Sequence, residues 1–166
     1  MTIDKNADYQ GIIVTNLGSI TIDLYEKETP VTVNNFVFLA NSGFYNGTSF
    51  HRVIKGYIIQ GGDPLGTGYG GPGYSFGNEI IPNLTFEPFV VAMANSGPNT
   101  NGSQFFITTR TSDASSLDGS YTIFGRVIGG MTTVDKIESV SVGSNSSQQY
   151  LPDQPVIISS VQIVKN

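Results

Sequence analysis

A chain of 166 residues, 39% of them hydrophobic, is long enough to bury roughly 70% of its unfolded surface within one domain, predicted to span 1–166. Its net charge of −5 argues against a nucleic-acid partner, which needs a basic face, and against a polybasic membrane-surface protein. With no cysteine and one histidine, disulfides, thiol nucleophiles and Cys- or His-rich metal sites are excluded, and no D-x-D-x-D-G calcium loop is present.

In chain order, residues 9–16 and 20–25 read as a hairpin, with Ile20, Ile22 and Leu24 alternating with Thr21, Asp23 and Tyr25. Residues 29–43 predict a helix. Thr29 is its cap, Pro30 its first position and Gly43 its stop, and Val33, Phe36, Val37 and Ala40 share one face. Short apolar runs follow: SFHRVI, GYIIQGG, FVVAMAN (89–95), SQFFITT (103–109) and YTIFGRVI (121–128). A second helix is expected over 131–140 and a closing strand within 154–165. Together these predict a mainly β protein, a closed eight-stranded antiparallel barrel with two helices over its ends. Residues 61–77 form a glycine-rich loop, a kind of segment that often carries function.

No stretch approaches the ~18 apolar residues of a membrane span, so no membrane insertion is expected. The first ten residues lack an apolar signal core. A cytoplasmic location is expected if Met1 is the native start, with an extracytoplasmic domain of an anchored protein as the alternative.

Several chemistries can be weighed. Residues 66–71, GTGYGG, match G-x-G-x-x-G, but Pro72 and Gly73 follow where a dinucleotide site needs a helix. His51 invites a Ser-His-Asp reading, yet there is no G-x-S-x-G elbow and the histidine lies in an apolar, strand-like run. The acids Asp63, Glu79, Glu87, Asp113 and Asp118 show no spacing that singles out a catalytic pair. Four N-x-S/T sequons, at Asn46, Asn83, Asn101 and Asn145, would matter only in a secreted eukaryotic protein. Arg52 stands apart: a guanidinium in an apolar segment either snorkels to water or faces a pocket to hold a substrate carbonyl. The run alone leaves these two readings even.

Two segments in order, FHRVIKGYIIQGGD (50–63) and VVAMANSGPNTNGSQFFITT (90–109), resemble the cyclophilin family of peptidyl-prolyl cis–trans isomerases. The likeness extends to residues 18–52 and 117–131 and covers most of 10–165. The resemblance implies a barrel whose interior is filled and whose groove lies on the outside, with no cofactor. It places the essential arginine at Arg52 and the proline pocket at Tyr57, Ile58, Phe106 and Leu117. Gln60 falls beside the arginine, Ala94 and Asn95 on the edge that pairs with substrate backbone, and Gln104 in the groove. His51 borders the site. A second pocket is expected at Tyr69, Ser96, Thr100 and Ser103.

The implied partners are proline-containing peptides and unfolded or partly folded proteins, bound by a monomer. The alternative function is a chaperone or scaffold module that docks proline segments with little turnover. The sequence departs from the family pattern at Lys55, at Ile58, at Ser116 (where many members have tryptophan) and at Tyr121 (a histidine at the pocket floor). The Ser116 and Tyr121 variants give the chain a bacterial-like character, and loss of the tryptophan implies weak cyclosporin binding.

Overall fold

The computed structural model describes residues 2–144 and 147–166; the sequon residue Asn145 lies outside them. The described residues form eight strands: β1 (Tyr9–Thr15), β2 (Gly18–Leu24), β3 (Arg52–Ile54), β4 (Ile58–Gly61), β5 (Val90–Met93), β6 (Phe105–Thr108), β7 (Ile123–Gly129) and β8 (Ile158–Lys165). Two helices, α1 (Pro30–Asn41) and α2 (Met131–Glu138), accompany them. All strand pairs are antiparallel, in the order β3-β4-β6-β5-β7-β2-β1-β8. The predicted hairpin is β1–β2, with Ile13 opposite Ile20 and both fully buried.

The expected closed barrel is an open half-barrel. The end strands β3 and β8 share no ladder. Their seam is spanned by one isolated bridge, Ser49 to Ile157, and by main-chain bonds from Phe50 N–H to Val156 O (2.9 Å) and Ile158 N–H to Thr48 O (2.8 Å). The reason is local. β3 is only three residues long, and the chain entering β8 carries Pro152 and Pro155, which have no N–H to donate.

The inside of the half-barrel is solid. Phe36 of α1 places its ring 5.3 Å from Tyr45, 5.8 Å from Phe105 and 5.3 Å from Phe124, centroid to centroid. Phe50 meets Phe105 edge-on at 6.0 Å, and Ile59, Val91, Met93 and Ile107 pack into the same layer. A second, smaller layer lies on the outer face: Ile58, Phe86, Val90, Ala92, Phe106, Ala114 and Ile123. Strands β5 and β6 are buried at every residue because they have a core on each side. That is why they read as continuous apolar runs rather than alternating ones.

Thr29 occupies the position before α1, but its hydroxyl bonds Tyr25 O (3.1 Å) instead of the helix. The cap comes from a distant carboxylate. Glu79 accepts from Val31 N–H (3.2 Å), Thr32 N–H (2.8 Å) and the Thr32 hydroxyl (2.7 Å), placing negative charge at the positive end of the helix. Its own N–H donates to the Thr122 hydroxyl at 2.9 Å, next to β7. Glu79→Ala is therefore expected to lower stability by about 1–2 kcal/mol in urea unfolding. An unchanged denaturation midpoint would show that the cap contributes nothing.

Candidate active site

Strand register assembles the site. Arg52 pairs with Gln60, Gln60 with Phe106, Phe106 with Ala92 and Ala92 with Ile123. Paired residues in neighbouring strands point to the same face. This row therefore carries a charge, an amide, a ring and two aliphatic positions across the outer face of five strands. One step along, Ile58 extends the apolar part of the row, and Phe106 meets Tyr121 edge-on at 5.6 Å while stacking on Phe86 at 5.7 Å.

A cavity of about 550 Å³ opens over this row, lined by residues that include His51, Arg52, Tyr57, Ile58, Gln60, Ala94, Asn95, Phe106, Leu117 and Tyr121. Arg52 is the only Lys, Arg, Asp or Glu among its described lining residues. It is exposed, and among the described residues it has no hydrogen-bond or ion-pair partner; the Tyr150 ring lies under its guanidinium, 5.9 Å from Cζ. Arg52 thus lines the cavity and pairs with no surface acid among the described residues, while its exposure keeps its head in reach of water. His51 is buried, and neither ring nitrogen meets hydrogen-bond geometry among the described residues. Burial pushes its pKa down, opposed by Asp63 and the Ser49 backbone and reinforced by Arg52, so the ring is neutral at pH 7.

Gln60 faces Arg52 in register but donates its amide to Gln104 Oε1 (3.0 Å). Gln104 in turn donates to Gly68 O and Gly70 O, each at 2.9 Å. The glutamine pair thus ties the sheet to the glycine-rich loop. Asn95 bonds locally through its side chain: Nδ2 donates to Ser120 O (3.4 Å) and Oδ1 accepts from Gly97 N–H (3.1 Å). Its main-chain N–H and C=O have no partner among the described residues.

The loop itself is organised by Asp63, which is 1% exposed. Its carboxylate accepts from Leu65 N–H (2.8 Å), Thr67 N–H (3.0 Å) and Gly68 N–H (2.6 Å). A Cβ at Gly70 would collide with Asp63 Oδ1, so the loop closes around the acid only with glycine there. Burial alone would raise the Asp63 pKa, but the N–H donors of Leu65, Gly68, Gly70 and Thr67 outweigh it and hold the carboxyl below its usual range. The GTGYGG stretch is part of this clasp, with no helix after it.

A second cavity of about 240 Å³ adjoins the first, lined by Gln60, Tyr69, Ala94, Asn95, Ser96, Thr100, Ser103 and Gln104 among others. Not all of these offer side-chain chemistry. The Ser103 hydroxyl is buried against Gly62 O (2.7 Å), and the Thr100 hydroxyl donates to Gly97 O (2.7 Å) while accepting from Ser96 N–H (2.8 Å). Tyr69 is 94% exposed and stands at the rim.

The sequence matches the family described as cyclophilin type peptidyl-prolyl cis-trans isomerase/CLD over residues 11–163. The chain belongs to that family. It is 48% identical over 157 residues to peptidyl-prolyl cis-trans isomerase 9 of Schizosaccharomyces pombe, covering 92% of this chain and 25% of that protein. The chain thus spans about a quarter of that relative's length. With peptidyl-prolyl cis-trans isomerase B of Streptomyces anulatus the identity is 45% over 167 residues, covering 90% of this chain and 93% of the relative. A crystal structure of a Cryptosporidium parvum cyclophilin-type isomerase, in the presence of the dipeptide Ala-Pro, superposes with a TM-score of 0.87 at 40% identity, covering 95% of this chain and 99% of that one.

In this cyclophilin four of the five acids considered from sequence, all but Glu87, have side-chain hydrogen-bond partners that fix them in structural roles. Asp63 clasps the loop and Glu79 caps α1. Asp118 accepts from Phe86 N–H (2.7 Å), and Asp113 accepts from the Ser115 hydroxyl (2.8 Å). Among the described residues no Asp or Glu lines either cavity. Ser116 is exposed on a short 3-10 turn beside Leu117. Sequence reasoning missed one wall of the larger cavity, residues 148–151, whereas Thr67 and Gly68 belong to the glycine-rich loop already singled out. The short stretch Gln148-Gln149-Tyr150-Leu151 has no periodicity to signal that it folds back onto β3.

Because the folded-state pKa of Asp63 is depressed, its contribution is complete above the unfolded value of about 3.9 and is lost as pH falls through the folded value. Asp63→Asn is expected to destabilise by roughly 2 kcal/mol at pH 7. Urea titrations should show that gap narrowing below about pH 4; a gap that stays constant to pH 2 would count against the clasp.

Proposed function

We propose that the chain acts as a single, monomeric domain that catalyses rotation about X–Pro bonds in peptides and partly folded proteins, with Arg52 as the catalytic donor. The observation that carries this reading is Arg52 itself: an unpaired guanidinium at the wall of a cavity that has no carboxylate among its described lining residues and an apolar cup beside the arginine. Rotation about an X–Pro bond is slow because the nitrogen lone pair is delocalised into the carbonyl, giving a barrier of ~18–20 kcal/mol. Twisting the bond returns that lone pair to nitrogen. A donor placed to meet it stabilises the twisted state more than either planar one, which is the condition for catalysis.

The other residues serve holding and exclusion. Phe106, Leu117, Tyr121, Ile58 and Tyr57 form a cup that suits a proline ring. The free main-chain groups of Asn95 suit an extended peptide, so one side of the bond is held while the other turns. The smaller cavity, bordered by Tyr69, Ser96, Thr100 and Ser103, takes side chains that precede the proline. Gln60 and Gln104 fix the loop that separates the two cavities. A neutral His51 beside Arg52 has a bordering role, and the reaction needs no proton transfer.

Exchange NMR on an Ala-Pro-Phe-type peptide tests the reading. Catalytic amounts of wild type should accelerate cis–trans exchange, and Arg52→Ala should lower kcat/KM on the order of 10²–10³-fold. Exchange at the uncatalysed rate with saturable peptide binding would instead favour a docking module. Equal rates for wild type and Arg52→Ala would remove Arg52 from the mechanism.

With Ser116, the neighbour of the cavity-lining Leu117, where many family members have an indole, cyclosporin loses a large flat contact, and aromatic burial of that kind dominates such interfaces. Weak binding is expected in a calorimetric titration. A submicromolar dissociation constant would contradict it.

A further inference from the structure

Arg52 lies on an edge strand, its long side chain exposed and free of any acid that would fix it. An unrestrained guanidinium spreads over many rotamers, and holding it in one costs side-chain entropy in the transition state. Residues 148–151 approach it from outside the sheet. The base of their loop is closed by the Val142–Pro152 bridge and by Gly143 N–H to Leu151 O (2.9 Å). Beside that closure, Val53 N–H donates to Tyr150 O (2.9 Å), which ties the segment to β3 one residue from Arg52. Gly143 has φ 74°, and a Cβ there would collide with Gln149 O, so this closure requires glycine. The result sets the Tyr150 ring under the guanidinium, 5.9 Å from Cζ.

We propose that Tyr150 is a positioning residue for Arg52. An aromatic face attracts the cation without consuming its N–H donors, which a carboxylate in the same place would occupy and partly neutralise. The segment 148–151 therefore completes the free edge of β3 and aims its arginine. The proposal rests on Arg52 being the donor in isomerisation.

The test combines exchange kinetics with the Arg52 side-chain resonances, in Tyr150→Leu and Tyr150→Phe. Tyr150→Leu should lower kcat about fivefold, the size of a cation–π contact at a partly exposed site, with KM changed less than about twofold. Tyr150→Phe should restore most of the loss. Arg52 Hδ and Hε should carry a ring-current shift in wild type and Tyr150→Phe that disappears in Tyr150→Leu. Equal impairment of both variants, or unchanged Arg52 resonances in Tyr150→Leu, would overturn the proposal.

If Tyr150→Leu also loses hydrogen-exchange protection at Val53, Tyr150→Trp decides: wild-type kcat supports the ring's role and a reduced kcat refutes it. Arg52→Ala in parallel separates the failures. Wild-type turnover there removes the mechanism as a whole, whereas an inactive Arg52→Ala beside an unaffected Tyr150→Leu removes only Tyr150.

Discussion

The molecule depends on one sheet region serving two apolar layers at once. On the inner side of β4, β6 and β5, interlocking aromatic and aliphatic side chains fill the half-barrel. On the outer side the same strands present Ile58, Phe106 and Ala92 to a thinner layer that loops cover only in part. A filled interior forces any ligand outside, and an outer layer that is apolar but incompletely covered gives it somewhere to bind. The rigidity of the inner layer also fixes the outer one, because each strand residue that faces the groove is flanked by residues locked in the core.

A charge set into such a surface is a problem in solvation. Burying an unpaired guanidinium deeply would cost several kcal/mol. Placing Arg52 on the short edge strand β3 keeps it in contact with water while its donors reach the cavity. The neutral state of His51 belongs to the same balance, since a second cation beside Arg52 would raise the cost of both. In the mechanism proposed above the substrate is also neutral, an amide whose nitrogen gains electron density as it twists. A single donor with no acid beside it among the described lining residues suits that proposed change better than a salt-bridged arginine would.

The parts of this arrangement that were legible in sequence are those set by short-range pattern. Alternation gave the β1–β2 hairpin, and helical spacing gave the buried face of α1. The groove residues came through the resemblance carried by two segments, which register then joins in one row. Other features depend on contacts between distant residues. Strand counting could not distinguish a closed barrel from an open one, because closure turns on whether the two end strands share a ladder. Thr29 has the right chemistry for a cap, yet Glu79 takes the role from a loop far along the chain. The wall at 148–151 is made by tertiary hydrogen bonding of a segment with no periodic signal.

The glycine-rich loop shows how such contacts make order out of an unpromising composition. Residues 61–77 contain eight glycines, each of which loses more backbone freedom on folding than any other residue type. Asp63 offsets this by gathering several main-chain donors on one carboxylate, and charge-assisted bonds are about twice as strong as neutral ones. The donors then fix the carbonyls of Gly68 and Gly70 where Gln104 can reach them, and Gln104 passes the constraint to Gln60, the cross-strand partner of Arg52. Two independent tethers therefore converge on the same strand. One runs from Asp63 through the glutamines to the edge of β3 that pairs with β4, and the other from residues 148–151 to its opposite edge. An arginine on a three-residue edge strand would otherwise be among the least constrained groups in the fold.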